Sequence, residues 1–161
     1  MKTLRNVVFL LTFLAAFRGA ANAQANPQTG PEDQTAIRRA ALDYIEGWYQ
    51  GDAARMERAL HPELAKRMVS TDPKTGKSIL HQMGAMTLVQ NTKEGDGTHF
   101  PKEQQLEDVT ILDVYRNAAS VKIDAATWID YLQLAKWNGQ WKIVNVLWEL
   151  KPKPDSTQPV K

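Results

Sequence analysis

Two apolar runs joined by Asn138-Gly139 near the C-terminus constrain the fold more than any other feature of the sequence. Both runs are rich in β-branched and aromatic residues. Asn and Gly tolerate the positive φ of a two-residue type I′ turn, so this dipeptide between such runs predicts a β-hairpin. A two-residue turn pairs Trp137 with Gln140, and the same register sets Tyr131 against Val146.

Both faces of this hairpin are predicted to be largely apolar, because side chains alternate across a strand. One face carries Trp128, Asp130, Leu132, Leu134, Trp141, Ile143, Asn145 and Leu147. The other carries Ile129, Tyr131, Gln133, Trp137, Val144, Val146 and Trp148. A hairpin with one solvent-exposed face carries polar side chains on that face. We therefore expect one face to cover the core and the other to meet a ligand cavity, a helix or a second subunit.

The first 23 residues are predicted to be a signal peptide. Lys2 and Arg5 precede a short apolar run over residues 7–17, and Ala21-Asn22-Ala23 has the pattern of a cleavage site. The apolar run is too short for a transmembrane helix. We therefore expect an exported protein, periplasmic or secreted, with no membrane association after cleavage.

Cleavage changes the charge balance. Three of the 20 basic residues leave with the signal, so the mature chain has 17 basic and 18 acidic residues and a net charge of −1. The basic precursor therefore does not indicate a nucleic-acid partner. The remaining 138 of 161 residues suit one domain. The absence of cysteine excludes disulfides and thiolate chemistry.

The segment after the signal indicates helices followed by strands. Pro31 opens a helix whose apolar residues recur at helical spacing, Gly51 ends it, and Asp52 caps a shorter helix reaching Leu60. Residues 63–70 fit helix or strand. A third helix is predicted over residues 82–93, burying Met83, Met86 and either Val89 or Gln90.

Strands are predicted over residues 106–115 and 119–126, before the hairpin. Helices followed by antiparallel strands predict an α+β fold. The predicted domain covers residues 32–150, after a disordered linker at 24–31 and before a flexible tail at 151–161.

Five segments carry a resemblance to a known family: YIEGWYQGD at 44–52, LHPEL at 60–64, DYLQL at 130–134, NGQWKIV at 138–144 and LW at 147–148. Their order and spacing resemble the putative lumazine-binding family of the nuclear transport factor 2-like superfamily, over residues 32–150. The resemblance implies a cone in which a curved antiparallel sheet wraps a long helix around a cavity, with the outer sheet face often forming a homodimer. It implies no cofactor, and it does not identify the ligand.

Asp130 and His61 are the candidate catalytic residues. A carboxylate on an apolar hairpin face can act as a general acid or base, and a histidine can relay protons near neutral pH. The resemblance adds that superfamily enzymes place an Asp–His or Asp–Tyr pair in the cavity. The alternatives are a hydrogen-bonded strand carboxylate and a helix-terminating histidine. The enzyme hypothesis requires both side chains to face one cavity within reach of each other.

Four aromatic residues complete the predicted ligand pocket with His61 and Asp130: Tyr44, Trp48, Trp128 and Trp141. Such side chains can line a flat pocket for a planar molecule, or they can be ordinary core. A ligand site requires a cavity of roughly 300 Å3 or more.

Other short motifs carry no site. Thr75-Gly76-Lys77-Ser78 lacks the first glycine and the parallel strand of a phosphate-binding loop. The three histidines have no zinc spacing, and Gly95-Asp96-Gly97 is too short for a calcium loop. No metal is therefore predicted. Three hypotheses stay open: an exported small-molecule-binding domain, an isomerase or hydro-lyase using Asp130 and His61, and a module that binds another protein through its outer sheet face.

Overall fold

The computed structural model describes residues 30–152. The predicted signal at 1–23, most of the linker and most of the tail lie outside these residues. Three helices pack on one face of a six-stranded sheet, which confirms the α+β fold. The helices are α1 (Pro31–Gln50), α2 (Ala53–Ala59) and α3 (Ala85–Glu94). The strands are β1 (Leu60–Thr71), β2 (Ser78–Gly84), β3 (Asp108–Tyr115), β4 (Ala118–Asp124), β5 (Trp128–Trp137) and β6 (Gln140–Leu150).

The sheet is mixed, with the strand order β2-β1-β6-β5-β4-β3. All neighbouring strands are antiparallel except β1 and β6, which run parallel. This pairing joins the first strand of the chain to the last. It also shows that residues 63–70 form a strand. A parallel pair needs a long crossover, and here α3 and the remaining strands lie between β1 and β6 in the sequence.

The first two helices form as predicted. Gly51 ends α1 in the left-handed conformation at φ 68°, and the Asp52 carboxylate accepts a hydrogen bond from the Arg55 backbone N–H. The apolar stripe of α1 is buried against the inner sheet face. Two arginines of α2 hold the Asp43 carboxylate of α1, Arg55 at 2.8 Å and Arg58 at 3.0 Å. These ion pairs fix α2 across α1.

The third helix differs from its prediction. Residues 78–84 form β2, and α3 begins only at Ala85. Its buried residues are Ala85, Leu88 and Thr92, whereas the Met86 side chain is 73% exposed. The helix is confirmed over residues 85–93, and Met83 and Val89 pack partly buried against the core as predicted. The predicted start at residue 82 and the burial of Met86 were wrong, because residues 78–84 pair with β1 after a turn at 72–77.

The C-terminal hairpin forms at Asn138-Gly139, both with positive φ, and Trp137 pairs with Gln140. The register beyond Val144 was wrong, because Gln133 pairs with Asn145 while Leu134 pairs with Ile143. Val144 is therefore an extra residue, a β-bulge that reverses the faces of the rest of β6. Val146 and Trp148 turn toward the helices, and Leu147 turns to the outer face.

Candidate functional site

A cavity of about 340 Å3 lies between the helices and the inner sheet face. Its walls are mainly apolar and come from α1, α3, the inner sheet face and the loop at residues 95–100, which we call the mouth loop. The lining residues are Tyr44, Ile45, Trp48, Lys66, Met83, Leu88, Asn91, Asp96, His99, Phe100, Trp128, Trp148 and Leu150. The cavity therefore exceeds the minimum volume that the small-molecule hypothesis requires.

The inner end of this cavity contains a buried polar cluster of four side chains, Tyr44, Lys66, Trp128 and Asp130. The Lys66 ammonium donates to the Tyr44 hydroxyl at 2.6 Å and to Asp130 Oδ1 at 2.9 Å. The Trp128 indole N–H donates to Asp130 Oδ2 at 2.7 Å. Asp130 is 0% exposed and Lys66 is 8% exposed. Both oxygens of a fully buried carboxylate therefore have charged or polar partners.

Three elements position this cluster. Tyr44 belongs to the buried stripe of α1, and Lys66 occupies an inward-facing position of β1 between the partly buried Ala65 and Arg67. Trp128 and Asp130 are two residues apart on β5, so their side chains point to the same face. The cluster thus ties α1 to β1 and β5, two strands that are separated by β6.

The charges of the cluster balance. The Lys66 ammonium and the Asp130 carboxylate form an ion pair at 2.9 Å. Burial raises the pKa of the Tyr44 phenol well above its usual value, and the nearby Asp130 carboxylate raises it further. Tyr44 therefore stays a neutral hydroxyl.

Aromatic rings surround the Lys66 ammonium and extend along the cavity. The ammonium lies 5.0 Å from the centre of the Trp148 ring and 5.4 Å from that of Tyr44, within the range of cation–π attraction. Phe100 packs against Trp128 with ring centres 5.5 Å apart. The walls can therefore contact both faces of a flat apolar molecule.

The mouth loop is held close to α1. Gly95 ends α3 at φ 86°, and the Thr98 hydroxyl donates to the Gly95 carbonyl at 2.8 Å. Gly97 lies directly on the end of α1, where a Cβ would overlap the Trp48 carbonyl oxygen and approach Trp48 Cδ1 to 2.6 Å. Asn91, Asp96 and His99 form a polar rim around the opening.

The structure brings some of the predicted pocket residues together. Tyr44, Trp48 and Trp128 line the cavity, and Asp130 lies behind the wall, bound to Lys66 and Trp128. Trp148 and Lys66 were not among the predicted pocket residues. Trp148 was assigned to the opposite face before the Val144 bulge was known, and Lys66 lies in the segment whose secondary structure was ambiguous.

His61 and Trp141 lie away from the cavity. His61 Nδ1 accepts from the Glu63 backbone N–H at 3.1 Å, and its ring packs edge-on against Trp137 at 5.0 Å. The Trp141 indole donates to Asp33 at the start of α1, at 2.9 Å. Both residues are at the closed end of the hairpin, so the structure does not pair His61 with Asp130. The partner of Asp130 is Lys66.

A wider surface groove of about 690 Å3 runs between α1 and β3. Its lining mixes exposed polar side chains with the apolar Leu42, Val109 and Ile111. Arg38 donates to the Val109 carbonyl at 2.8 Å, and Arg55 is paired with Asp43. This groove is more open to solvent than the cavity between the helices and the sheet.

Two further findings concern only residues 30–152. No three His, Asp or Glu side chains in this range cluster as metal ligands. None of the helices in this range is long and apolar enough to cross a bilayer.

The solved structures most similar in the comparison share the fold. A nuclear transport factor 2-like protein of unknown function from Shewanella baltica is 21% identical, with a TM-score of 0.57, covering 76% of this chain and 96% of its own. One from Methylobacillus flagellatus, also of unknown function, is 18% identical, with a TM-score of 0.60, covering 78% and 97%. These identities support the fold alone. No curated protein matches the chain.

The family comparison covers most of the chain. The family model described as putative lumazine-binding matches residues 32–149, from the first turn of α1 almost to the end of β6. The match includes every residue that lines the cavity except Leu150. The chain belongs to the putative lumazine-binding family, and it has the nuclear transport factor 2-like fold.

Proposed function

We propose that this protein is an exported domain that binds a small, largely apolar molecule in the cavity between α1, α3 and the sheet. One observation carries the proposal: a cavity of about 340 Å3 with apolar walls and a buried ammonium at its inner end. Ligand sites start at about 300 Å3 and combine apolar walls with a few placed polar groups. A core built only for stability has no need of such a void, because cavities cost free energy.

The family description supports the same class of function, since it names the binding of a small molecule. It does not assign the ligand of this chain. Export is supported by the basic start, apolar run and cleavage pattern of the first 23 residues.

The geometry gives no support to a reaction carried by Asp130 with His61. His61 packs on Trp137 at the closed end of the hairpin, whereas Asp130 is bound by Lys66 and Trp128. A general acid–base pair must reach the same reacting group. Binding without a defined reaction is therefore the function that the site supports.

Filling the cavity should weaken binding. Met83 lines the cavity, and replacing it by tryptophan places a larger side chain in that space. We expect Met83→Trp to weaken the binding of 2-isopropenylnaphthalene, an uncharged apolar probe, by at least about tenfold, equivalent to 1.4 kcal/mol. Isothermal titration calorimetry on the purified protein measures this affinity.

Met86→Trp is the matched control, because Met86 is on the exposed face of α3 and does not line the cavity. It should bind the probe as the unchanged protein does. Equal affinity in both variants would place the probe elsewhere on the surface and contradict the proposed site.

We further propose that the outer sheet face forms a homodimer. Tyr131 and Leu147 are paired neighbours on β5 and β6, and they are 48% and 51% exposed. Val69 and Leu80 are paired neighbours on β1 and β2 and are also exposed. Apolar side chains grouped on one sheet face are typical of an interaction surface. A different protein partner on this face is the alternative.

Native mass spectrometry of the protein purified from its own source tests the subunit number and the export together. We expect two chains per particle, each beginning at Gln24 after cleavage. The double substitution Tyr131→Glu with Leu147→Glu should give a folded monomer, because like charges and desolvated carboxylates oppose the contact. Met86→Glu on the opposite side of the domain should stay dimeric. A monomer at micromolar concentration in the unchanged protein would contradict the dimer, and a retained N-terminus would contradict cleavage.

A further inference from the structure

We infer that the ligand of this cavity is an uncharged molecule that presents a carbonyl oxygen to the ammonium of Lys66. The inference rests on the proposed function, since it specifies the chemistry of the molecule that the cavity binds. Its observations are the hydrogen bonds of the buried polar cluster and the distribution of charge around the cavity.

The Lys66 ammonium has one donor to spare. An ammonium carries three N–H groups, and two of these donate to Tyr44 at 2.6 Å and Asp130 at 2.9 Å. Among residues 30–152, the Trp148 and Tyr44 rings also lie near the ammonium, with ring centres at 5.0 Å and 5.4 Å. Trp148 and Lys66 both line the cavity, so the third N–H can reach a ligand atom there. A buried N–H group without an acceptor costs free energy, so an oxygen acceptor of the ligand in this position is stabilising.

The acceptors of the cluster are directed away from the ligand. Asp130 receives Lys66 on one oxygen and Trp128 on the other, and it does not line the cavity. The Trp128 N–H is likewise used by Asp130. The polar groups at the inner end of the wall are therefore Lys66 and the Tyr44 hydroxyl, which favours an acceptor on the ligand over a donor.

The charge balance favours a neutral ligand. Asp130 already compensates Lys66, so a ligand carboxylate would bring an uncompensated negative charge among apolar walls, with Asp96 as a second negative group at the rim. A ligand cation would meet Lys66 at the inner end. A carbonyl oxygen accepts the hydrogen bond without adding charge.

Three naphthalene probes with the same ring test the inference on the full chain. They carry an acetyl group, an isopropenyl group of the same shape, or a carboxylate. We expect 2-acetylnaphthalene to bind at least about tenfold more tightly than 2-isopropenylnaphthalene, because a net hydrogen bond to a charged donor is of this size. We expect 2-naphthoate to bind more weakly than the ketone. The carbonyl stretch of the bound ketone should shift to lower frequency than in an apolar solvent.

The double substitution Lys66→Met with Asp130→Asn removes both charges and leaves an acceptor for the Trp128 N–H. The affinity ratio of ketone to isopropenyl probe should fall to about one, and the frequency shift should disappear. Equal binding of all three probes to the unchanged protein would overturn the inference and leave the proposed function intact. Tightest binding of the carboxylate would also overturn the inference. Failure of every probe to bind would overturn both.

Discussion

Replacing Lys66 by methionine, with Asp130 kept, is expected to lower the free energy of unfolding by about 3–5 kcal/mol. Asp130 is 0% exposed, and Lys66 is its only charged partner among residues 30–152. Without the ammonium, a buried carboxylate keeps only neutral partners, the Trp128 N–H and the neighbouring Tyr44 hydroxyl. The Tyr44 hydroxyl also loses its donor. Urea unfolding followed by tryptophan fluorescence measures the loss.

The double substitution Lys66→Met with Asp130→Asn should recover most of the lost stability, because removing both charges of a buried pair is close to neutral. Asparagine retains an oxygen for the Trp128 N–H. The recovery distinguishes an uncompensated charge from a simple loss of packing around Lys66, which the second substitution would not repair.

Lys122→Met is the matched control, since the Lys122 side chain is 36% exposed and lies 3.9 Å from Asp124. A surface pair of this kind contributes little, so we expect a change below about 0.5 kcal/mol. If Lys66→Met and Lys122→Met cost the same, the ion pair at the inner end of the cavity is not buried as described.

Local signals in the sequence predict the first two helices and the final turn. Gly51, Asp52 and Asn138-Gly139 each act within a few residues, and all three behave as predicted. The pairing of β1 with β6 brings together segments about 80 residues apart, for example Lys66 and Val146, and no local pattern encodes it. The sequence alone therefore does not decide between helix and strand for residues 63–70.

The residues of the candidate site show the same difference between local patterns, which predict positions, and long-range pairing, which they do not. Tyr44 and Trp48 follow from the stripe of α1, and Trp128 follows from the alternation in β5 before any irregularity. Lys66 was missed because a lysine in an ambiguous segment resembles a surface residue. The alternation of Leu64, Lys66 and Met68 with more exposed neighbours marks Lys66 as inward-facing once β1 is known to be a strand.

His61 was misplaced by an irregularity of the sheet. Leu60 pairs with Ile143, but the next pair is Ala65 with Asn145, so residues 61–64 form an irregular stretch without partner residues in β6. Asp130 pairs with Trp148, five residues further along β6 than Ile143. At about 3.3 Å per residue, the strand position of Asp130 is roughly 15 Å from the position beside which Leu60 and His61 lie. An irregularity of this kind depends on the packing of both strands, and the sequence of either strand alone does not reveal it.

Gly97→Ala is expected to lower the free energy of unfolding by about 3 kcal/mol, in the upper part of the range for overpacked buried sites. An added Cβ would overlap the Trp48 carbonyl oxygen and lie 2.6 Å from Trp48 Cδ1. The carbonyl belongs to the last turn of α1 and accepts from the Gly51 N–H at 3.3 Å, so it is held in place. The mouth loop must therefore move away from α1.

This movement should also weaken ligand binding, because Phe100 and His99 of the mouth loop and Trp48 of α1 line the cavity. Gly84→Ala is the matched control at the start of α3. Its φ is −94°, and the nearest atom to an added Cβ is the Leu64 carbonyl oxygen at 3.8 Å. That variant should keep its probe affinity and change the free energy of unfolding by less than about 1 kcal/mol, because the restriction of the unfolded chain by alanine is offset by its poorer fit at the helix N-cap. Equal stability and equal probe binding in the two variants would mean that the mouth loop does not rest on Trp48. The cavity would then lack the wall that separates it from solvent, and the pocket on which the proposed function depends would be lost with it.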